Sequence, residues 1–317
     1  MPAANAPKLP TAAEATYRWH GIDIFSALPL AFPPCLLPQP AAQHLRIVAD
    51  PSLAAAPGRC LSISPHTGYG LFRDPGPDGG CWLARDTDRM HFTRDQIRVS
   101  PTPDAARLEY LQTRALALWL QMVGMAPIHA SAVANEAGAL ALLGKSGAGK
   151  STLAAALLGC GFHLCADDLL PLAVVNGEVP VHPGRQQLAL WMDSAREFHS
   201  AAESLPIVTL EGDKRGWRPP LSAPAQVPRL RAIFVLERGS KDANVKIERM
   251  PASAALLTLM RNGQMAGPAE QLGHGAEKLR VLSAALRCLS VYTLRYPSHY
   301  GRLDEVCAAL DAAMRAS

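Results

Sequence analysis

A chain of 317 residues, 49% hydrophobic and 18% charged, can bury a substantial core and lacks the composition of a disordered polymer. Its formal net charge of +4 comes without a dense run of Lys or Arg, which suits anionic ligands and gives no footing for nucleic-acid binding. No stretch approaches the roughly 20 apolar residues of a membrane span, the N-terminus has no signal-peptide pattern, and seven cysteines without a CxxC pair read as free thiols, so a cytoplasmic protein with no membrane partner is expected.

Residues 1–103 alternate short β-forming runs (45–48, 60–63, 70–72, 81–84 and 96–99) with turn signals such as Asp74-Pro75-Gly76-Pro77-Asp78-Gly79-Gly80. They predict a small β-rich accessory module whose sequence carries no nameable chemistry. Residues 104–125 predict a linking helix: Asp104 can cap it, and Leu108, Leu111, Leu116, Leu118, Trp119 and Met122 give it a broad apolar stripe. From 126 to 317 the texture becomes α/β. Runs at 129–133 and 139–143 predict consecutive strands across the turn Asn135-Glu136-Ala137-Gly138, and 150–158 predicts a helix ended by Gly159 and Gly161. Another strand at 163–166 closes on Asp167-Asp168. Asn176-Gly177 predicts a hairpin between 170–175 and 178–181. Strands at 230–236 and 289–296 and helices at 253–260 and 303–315 complete the reading.

Between the strand at 139–143 and the following helix stands Gly144-Lys145-Ser146-Gly147-Ala148-Gly149-Lys150-Ser151, with Thr152 next. It satisfies G-x-x-x-x-G-K-[ST] in full, in the strand-to-helix setting that the motif demands. Glycines let the backbone curl so that N–H groups point toward phosphate oxygens, and the helix adds its positive end. Lys150 can reach the β- and γ-phosphates of ATP, and the Ser151 hydroxyl can hold Mg²⁺. A phosphate loop also needs a carboxylate at the end of a neighbouring strand. Asp167 and Asp168 supply two, and alternation along an extended chain lets one face the metal and the other a substrate hydroxyl. The loop Glu211-Gly212-Asp213-Lys214-Arg215-Gly216-Trp217-Arg218 carries three cations, one of which, with Arg215 the expected one, could reach a transferring phosphoryl.

The segment 129–168 resembles the catalytic domain of HPr kinase/phosphorylase, a bacterial serine kinase with a phosphate loop. That family has a His 21 residues before the loop lysine, as His129 is before Lys150, and an Asp-Asp pair 17 and 18 residues after it, as Asp167 and Asp168 are. Its Gly-His-x-Leu-x-Ala-Asp-Asp is matched by Gly161-Phe162-His163-Leu164-Cys165-Ala166-Asp167-Asp168, with Phe162 in place of a His. The resemblance implies a P-loop kinase domain of the HPr-kinase/phosphoenolpyruvate-carboxykinase type. It implies Asp168 as proton acceptor, Asp167 as metal support and His129 as an active-site residue. The family's Leu-Glu-Ile-Arg-Gly signature is absent, so its metal-binding Glu has no counterpart. In that place stands Pro183-Gly184-Arg185-Gln186-Gln187-Leu188-Ala189-Leu190-Trp191. This segment is more similar to shorter HPr-kinase-like proteins, some of which phosphorylate a serine of a ribosomal peptide precursor in lasso-peptide clusters. The expected partner is thus a peptide or small protein that offers a serine, with a homo-oligomer left open. A small-molecule kinase and an ATP-sensing regulator without transfer are the rival readings.

Overall fold

In a computed structural model the chain is described over residues 14–35, 43–56, 58–76, 80–100, 103–208, 213–220 and 226–316. Residues 77–79 of the expected turn and residues 211–212 of the expected cationic loop lie outside these. The chain divides into two compact units, residues 1–123 with 267–273, and residues 124–266 with 274–317.

The first unit is built on an eight-stranded sheet. Its strands are β1 (Ala15–Trp19), β2 (Ile22–Ser26), β3 (His44–Ala49), β4 (Cys60–Ile63), β5 (Gly70–Arg73), β6 (Cys81–Arg85), β7 (Asp88–Phe92) and β8 (Gln96–Ser100). They lie in the order β1-β2-β3-β8-β7-β6-β5-β4, antiparallel except where β3 runs parallel to both β2 and β8. Helix α1 (Ala105–Tyr110), a π-helical turn at Leu111–Ala115 and α2 (Leu116–Met122) follow without a break. As the sequence suggests, Asp104 caps the start, its carboxylate accepting from the Arg107 N–H at 2.9 Å. The Trp119 indole donates to the Thr93 carbonyl at 3.1 Å, which fastens the helix to the sheet of its own unit.

The second unit contains strands β9 (Ala126–Ile128), β10 (Ala130–Asn135), β11 (Gly138–Leu143), β12 (His163–Ala166), β13 (Leu170–Leu172), β14 (Leu188–Trp191), β15 (Lys214–Trp217), β16 (Leu230–Arg238), β17 (Lys246–Arg249) and β18 (Ser290–Tyr296). Its helices are α3 (Lys150–Gly159), α4 (Met192–Phe198), α5 (Ala252–Arg261), α7 (Gly275–Ala285) and α8 (Leu303–Arg315). Between α5 and α7 comes α6 (Ala266–Gln271), most of which falls in the first unit. Six strands form one sheet in the order β12-β10-β11-β16-β18-β17. Strand β11 is parallel to β16, and β16 to β18, while β10 is antiparallel to both β11 and β12. The carboxyl ends of β11, β12, β16 and β18 therefore lie on one edge of the sheet, the place where open α/β sheets bind ligands.

Strand β11 shows why the sheet is buried on both sides. Leu140 and Leu142 enter one core with α3 and α8, while Ala139, Ala141 and Leu143 enter the other with α5 and α7. A continuous apolar run is what a strand covered by helices on both faces requires. The sequence missed β1, β2, β7, β9, β14, β15, β17, α4, α6 and α7, which are short or polar. The Asn176-Gly177 hairpin is smaller than expected, a strand at 170–172 and then one bridge between Val175 and Glu178. No helix among the described residues is long and apolar enough to cross a membrane.

Phe234 on β16 is fully buried and stacks on Tyr292 of β18, with ring centroids 5.3 Å apart. Phe234→Ala is expected to cost about 3–5 kcal/mol of unfolding free energy, the range for large aromatic truncations in a core, read from the shift of the urea midpoint.

Candidate functional site

The edge described above carries a cleft of about 340 Å³, lined by Ser146, Gly147, Gly149, Lys150, Ser151 and Thr152 from the glycine loop and the start of α3. Its opposite walls come from His129 and Asp168, from Ala189, Trp191, Asp193, Ser194 and Lys214, and from Arg238 and the stretch from Tyr296 to Tyr300.

The glycine loop is fastened through its carbonyls. Gly147 and Gly149 hold positive φ of 80° and 93°, and Ala148 N–H closes a turn on the Lys145 carbonyl. The Lys150 ammonium donates to the carbonyls of Gly144 and Lys145 at 2.9 and 3.3 Å. The Tyr296 hydroxyl, at the end of β18, donates to the Ala148 carbonyl at 2.6 Å, and Arg238, at the end of β16, reaches the Gly147 carbonyl at 3.4 Å. At Gly149 a side chain has no room, since a Cβ would stand 2.3 Å from that tyrosine oxygen. With its carbonyls engaged, the loop has the form of an anion cradle at a helix N-terminus.

The two aspartates follow from a register. Strands β9 and β13 pair through Ile128 and Leu170, and β10 and β12 pair through Ala132 and Ala166. The Ala132–Ala166 pair, beyond which the β10–β12 register shifts by one residue at Val133, shares the antiparallel register of β9 and β13, so Ser131 falls opposite Asp167 across the interruption between them. The Ser131 hydroxyl duly donates to Asp167 Oδ1. Ser151 Oγ approaches both carboxylate oxygens at 3.2 Å, and the Ala189 N–H donates to Oδ2 at 3.0 Å. Burial raises the pKa of Asp167 to about 6, and the neighbouring Asp168 charge adds to this; the Ser131 hydrogen bond, the Ala189 N–H and the Lys150 charge oppose it. Burial also depresses the Lys150 pKa, against the pull of both aspartates.

Asp168 points elsewhere for a reason other than strand alternation. Its φ is 66°, a left-handed conformation uncommon for residues with a side chain. Its carbonyl accepts from Gln264 Nε2 at 2.5 Å and faces His129 Nδ1 at 3.0 Å. These two groups hold the turned backbone, and the carboxylate stays half-exposed on the cleft wall, with Oδ1 3.8 Å from His129 Nδ1. The imidazole thus braces the Asp168 main chain.

Lys214 and Arg215 do not lie on a loop; they begin β15, which pairs with β14 so that Lys214 faces Trp191 and Arg215 faces Leu190. Strand alternation sends the two cations to opposite faces. Arg215 turns away from the cleft, paired with Asp213 at 2.8 Å and donating to the Leu205 carbonyl at 3.0 Å. Lys214 lines the cleft instead. Beyond it, Thr152 Oγ1, Ser194 Oγ and Tyr300 Oη form a chain of hydroxyls at 2.9 and 3.0 Å. The sequence did not single out Ser131, Gln264, Arg238, Tyr296 or Tyr300. Arg238 and Tyr296 end parallel strands on the ligand-binding edge, a rule that would have pointed to them.

Ser151 and Asp167 offer a hydroxyl and a carboxylate to one point beside the cradle. That hard-oxygen pair suits Mg²⁺, which takes one or two carboxylates and completes its shell from substrate phosphates and water. No cluster of three or more His, Cys, Asp or Glu side chains arranged for a metal occurs among the described residues.

No family model matches the chain, and no curated protein matches its sequence. Among solved structures it is similar to the Hpr(Ser) kinase/phosphatase from Coxiella burnetii, at 12% identity over 59% of this chain and 95% of that one, with a TM-score of 0.30. These matches do not place the chain in a family, so its chemistry is read from the cleft.

Because its pKa rises on folding, the folded chain holds the Asp167 proton more tightly than the unfolded chain does. Its contribution to stability is therefore lost as pH rises from the ordinary value of 3.8 through about 6. Without nucleotide, Asp167→Asn is expected to melt above the wild type at pH about 7.5 and to lose that advantage near pH about 4, as read by scanning calorimetry. Equal melting at both values would mean that the carboxylate is fully compensated.

Proposed function

We propose that the chain is an ATP-dependent kinase that transfers the γ-phosphate to a serine hydroxyl of a peptide or small protein, a ribosomal peptide precursor being the acceptor that the sequence suggests. The observation that carries this reading is the division of labour between the two aspartates. Asp167 is buried against Ser151 at the foot of the loop, whereas Asp168 is held half-exposed on the cleft wall. A pure nucleotide sensor needs the first arrangement and has no use for the second.

In this reading Lys150 leaves its loop carbonyls for the β- and γ-phosphates, and loop N–H groups and the α3 terminus take the remaining charge. Ser151 and Asp167 hold Mg²⁺, which when bound draws charge from the phosphates. Asp168 accepts the proton of the attacking hydroxyl while its oxygen forms the new P–O bond and the β–γ bridging oxygen leaves with ADP. His129 and Gln264 keep Asp168 in place by gripping its carbonyl. The fully buried Ser131 and the Ala189 N–H orient Asp167. A peptide acceptor is favoured by the exposure of the cleft lining, in which Asp168 is half-exposed and Trp191 stands 46% accessible.

Asn tolerates left-handed backbone, so Asp168→Asn removes the base and keeps the turn. Its transfer of labelled γ-phosphate to a panel of serine peptides should fall about 10²-fold or more, with Mg·ATP affinity by calorimetry within a few-fold of wild type. Lys150→Ala should lose most of the affinity itself. Undiminished transfer by Asp168→Asn would remove the catalytic reading and leave a nucleotide-binding protein.

A further inference from the structure

Building on that kinase reading, we propose that Lys214 is a further catalytic residue, its ammonium stored on the Trp191 indole and delivered to the γ-phosphoryl group during transfer.

Three observations carry this. The first is placement. Trp191 and Lys214 are directly paired across the β14–β15 ribbon, and both line the cleft that holds the glycine loop, Ser151 and Asp168. The ammonium is also near enough to Lys150 for its charge to help depress the Lys150 pKa. The second is the difference in how the cleft's cations are engaged. Lys150 donates to two loop carbonyls, and Arg238 donates to Gly147 and Ser298. The Lys214 ammonium lies 5.3 Å above the Trp191 ring centroid and, among the described residues, makes no hydrogen bond or ion pair. The third is chemical. An aromatic face attracts a cation weakly at an exposed site, far less than a triphosphate does. Such a perch keeps a flexible ammonium beside the site without satisfying it. Arg215 is anchored by Asp213 and by the Leu205 carbonyl and faces away, so it cannot serve.

During transfer the bond from the γ-phosphorus to the β–γ bridging oxygen breaks, and a bond to the acceptor oxygen forms. The acceptor's proton goes to Asp168, and Lys214 keeps its own protons throughout. Its contribution is positive charge and N–H donors on the equatorial oxygens, where negative charge spreads as the group passes between partners.

The experiment needs no acceptor. Binding of Mg·ADP alone and of Mg·ADP with aluminium fluoride, which imitates the phosphoryl group in flight, is measured by calorimetry and by tryptophan emission in the wild type and in Lys214→Met. Trp191→Phe identifies which of the five tryptophans reports. The wild type is expected to bind Mg·ADP more tightly with aluminium fluoride present, and only then to change its Trp191 emission as the ammonium departs. Lys214→Met should keep Mg·ADP affinity within about threefold and lose at least about tenfold of the fluoride-dependent gain, the sense expected of a group that binds only the transition state. Lys214→Arg should restore part of it. An emission change with Mg·ADP alone, no change with the fluoride complex bound, or an unaltered gain in Lys214→Met each overturns the proposal while leaving the nucleotide site intact. Failure of the wild type to bind any Mg·nucleotide removes the phosphate-loop reading itself.

Discussion

A carboxylate out of reach of water must be answered by hydrogen bonds and charge from whatever surrounds it, and the cleft of this protein is organised around one such group. Asp167 is met by Ser131 from β10, Ser151 from α3 and the Ala189 N–H from β14. Those donors come from separate stretches of chain, so the carboxylate fixes where each stretch stands relative to the glycine loop. Its elevated pKa shows that the donors do not fully replace water, which leaves the position receptive to further positive charge. The same deficiency that makes the group costly to fold makes it useful at a phosphate site.

The remainder of the cleft is held mostly through main-chain oxygens. Carbonyls of Gly144, Lys145, Gly147 and Ala148 accept from Lys150, Arg238 and Tyr296, and the Asp168 carbonyl is gripped by Gln264 and faced by His129. Side chains thus set the backbone, and the backbone sets the groups that face the ligand. The left-handed turn at Asp168 costs on the order of 1–3 kcal/mol, and its two partners show what keeps it.

Much of this was legible in the sequence because the loop, its strand and its helix are contiguous and because apolar runs announce buried strands. The strands at 139–143 and 163–166 and the helix after Lys150 stand where their residues suggest. The cation of the cleft was harder to choose. Lys214 and Arg215 are adjacent, and only the pairing of β15 with Trp191 and Leu190 decides which of them faces inward. Ser131 and Gln264 carried no local signal. One is a small residue in an apolar strand, and the other sits 96 residues from the carbonyl it binds. The strands β1, β2 and β7 escaped because each has only 5 residues, too short a window for alternation to stand out.

The register that the Ala132–Ala166 end of the β10–β12 pair shares with β9–β13 bears on how the chain finds its fold. A slip of one residue in β12 would bring Asp168 or Ala166 opposite Ser131 and send the next carboxylate toward apolar packing. The pair already takes up one register shift between Ala132 and Val133, but on the cleft side β13 continues the Ala132–Ala166 register beyond the interruption and would have to move as well. Alternative pairings are therefore penalised twice, once by a stranded charge and once by mismatched apolar faces. The energy gap that guides these strands to one alignment is thus greatest at the cleft itself.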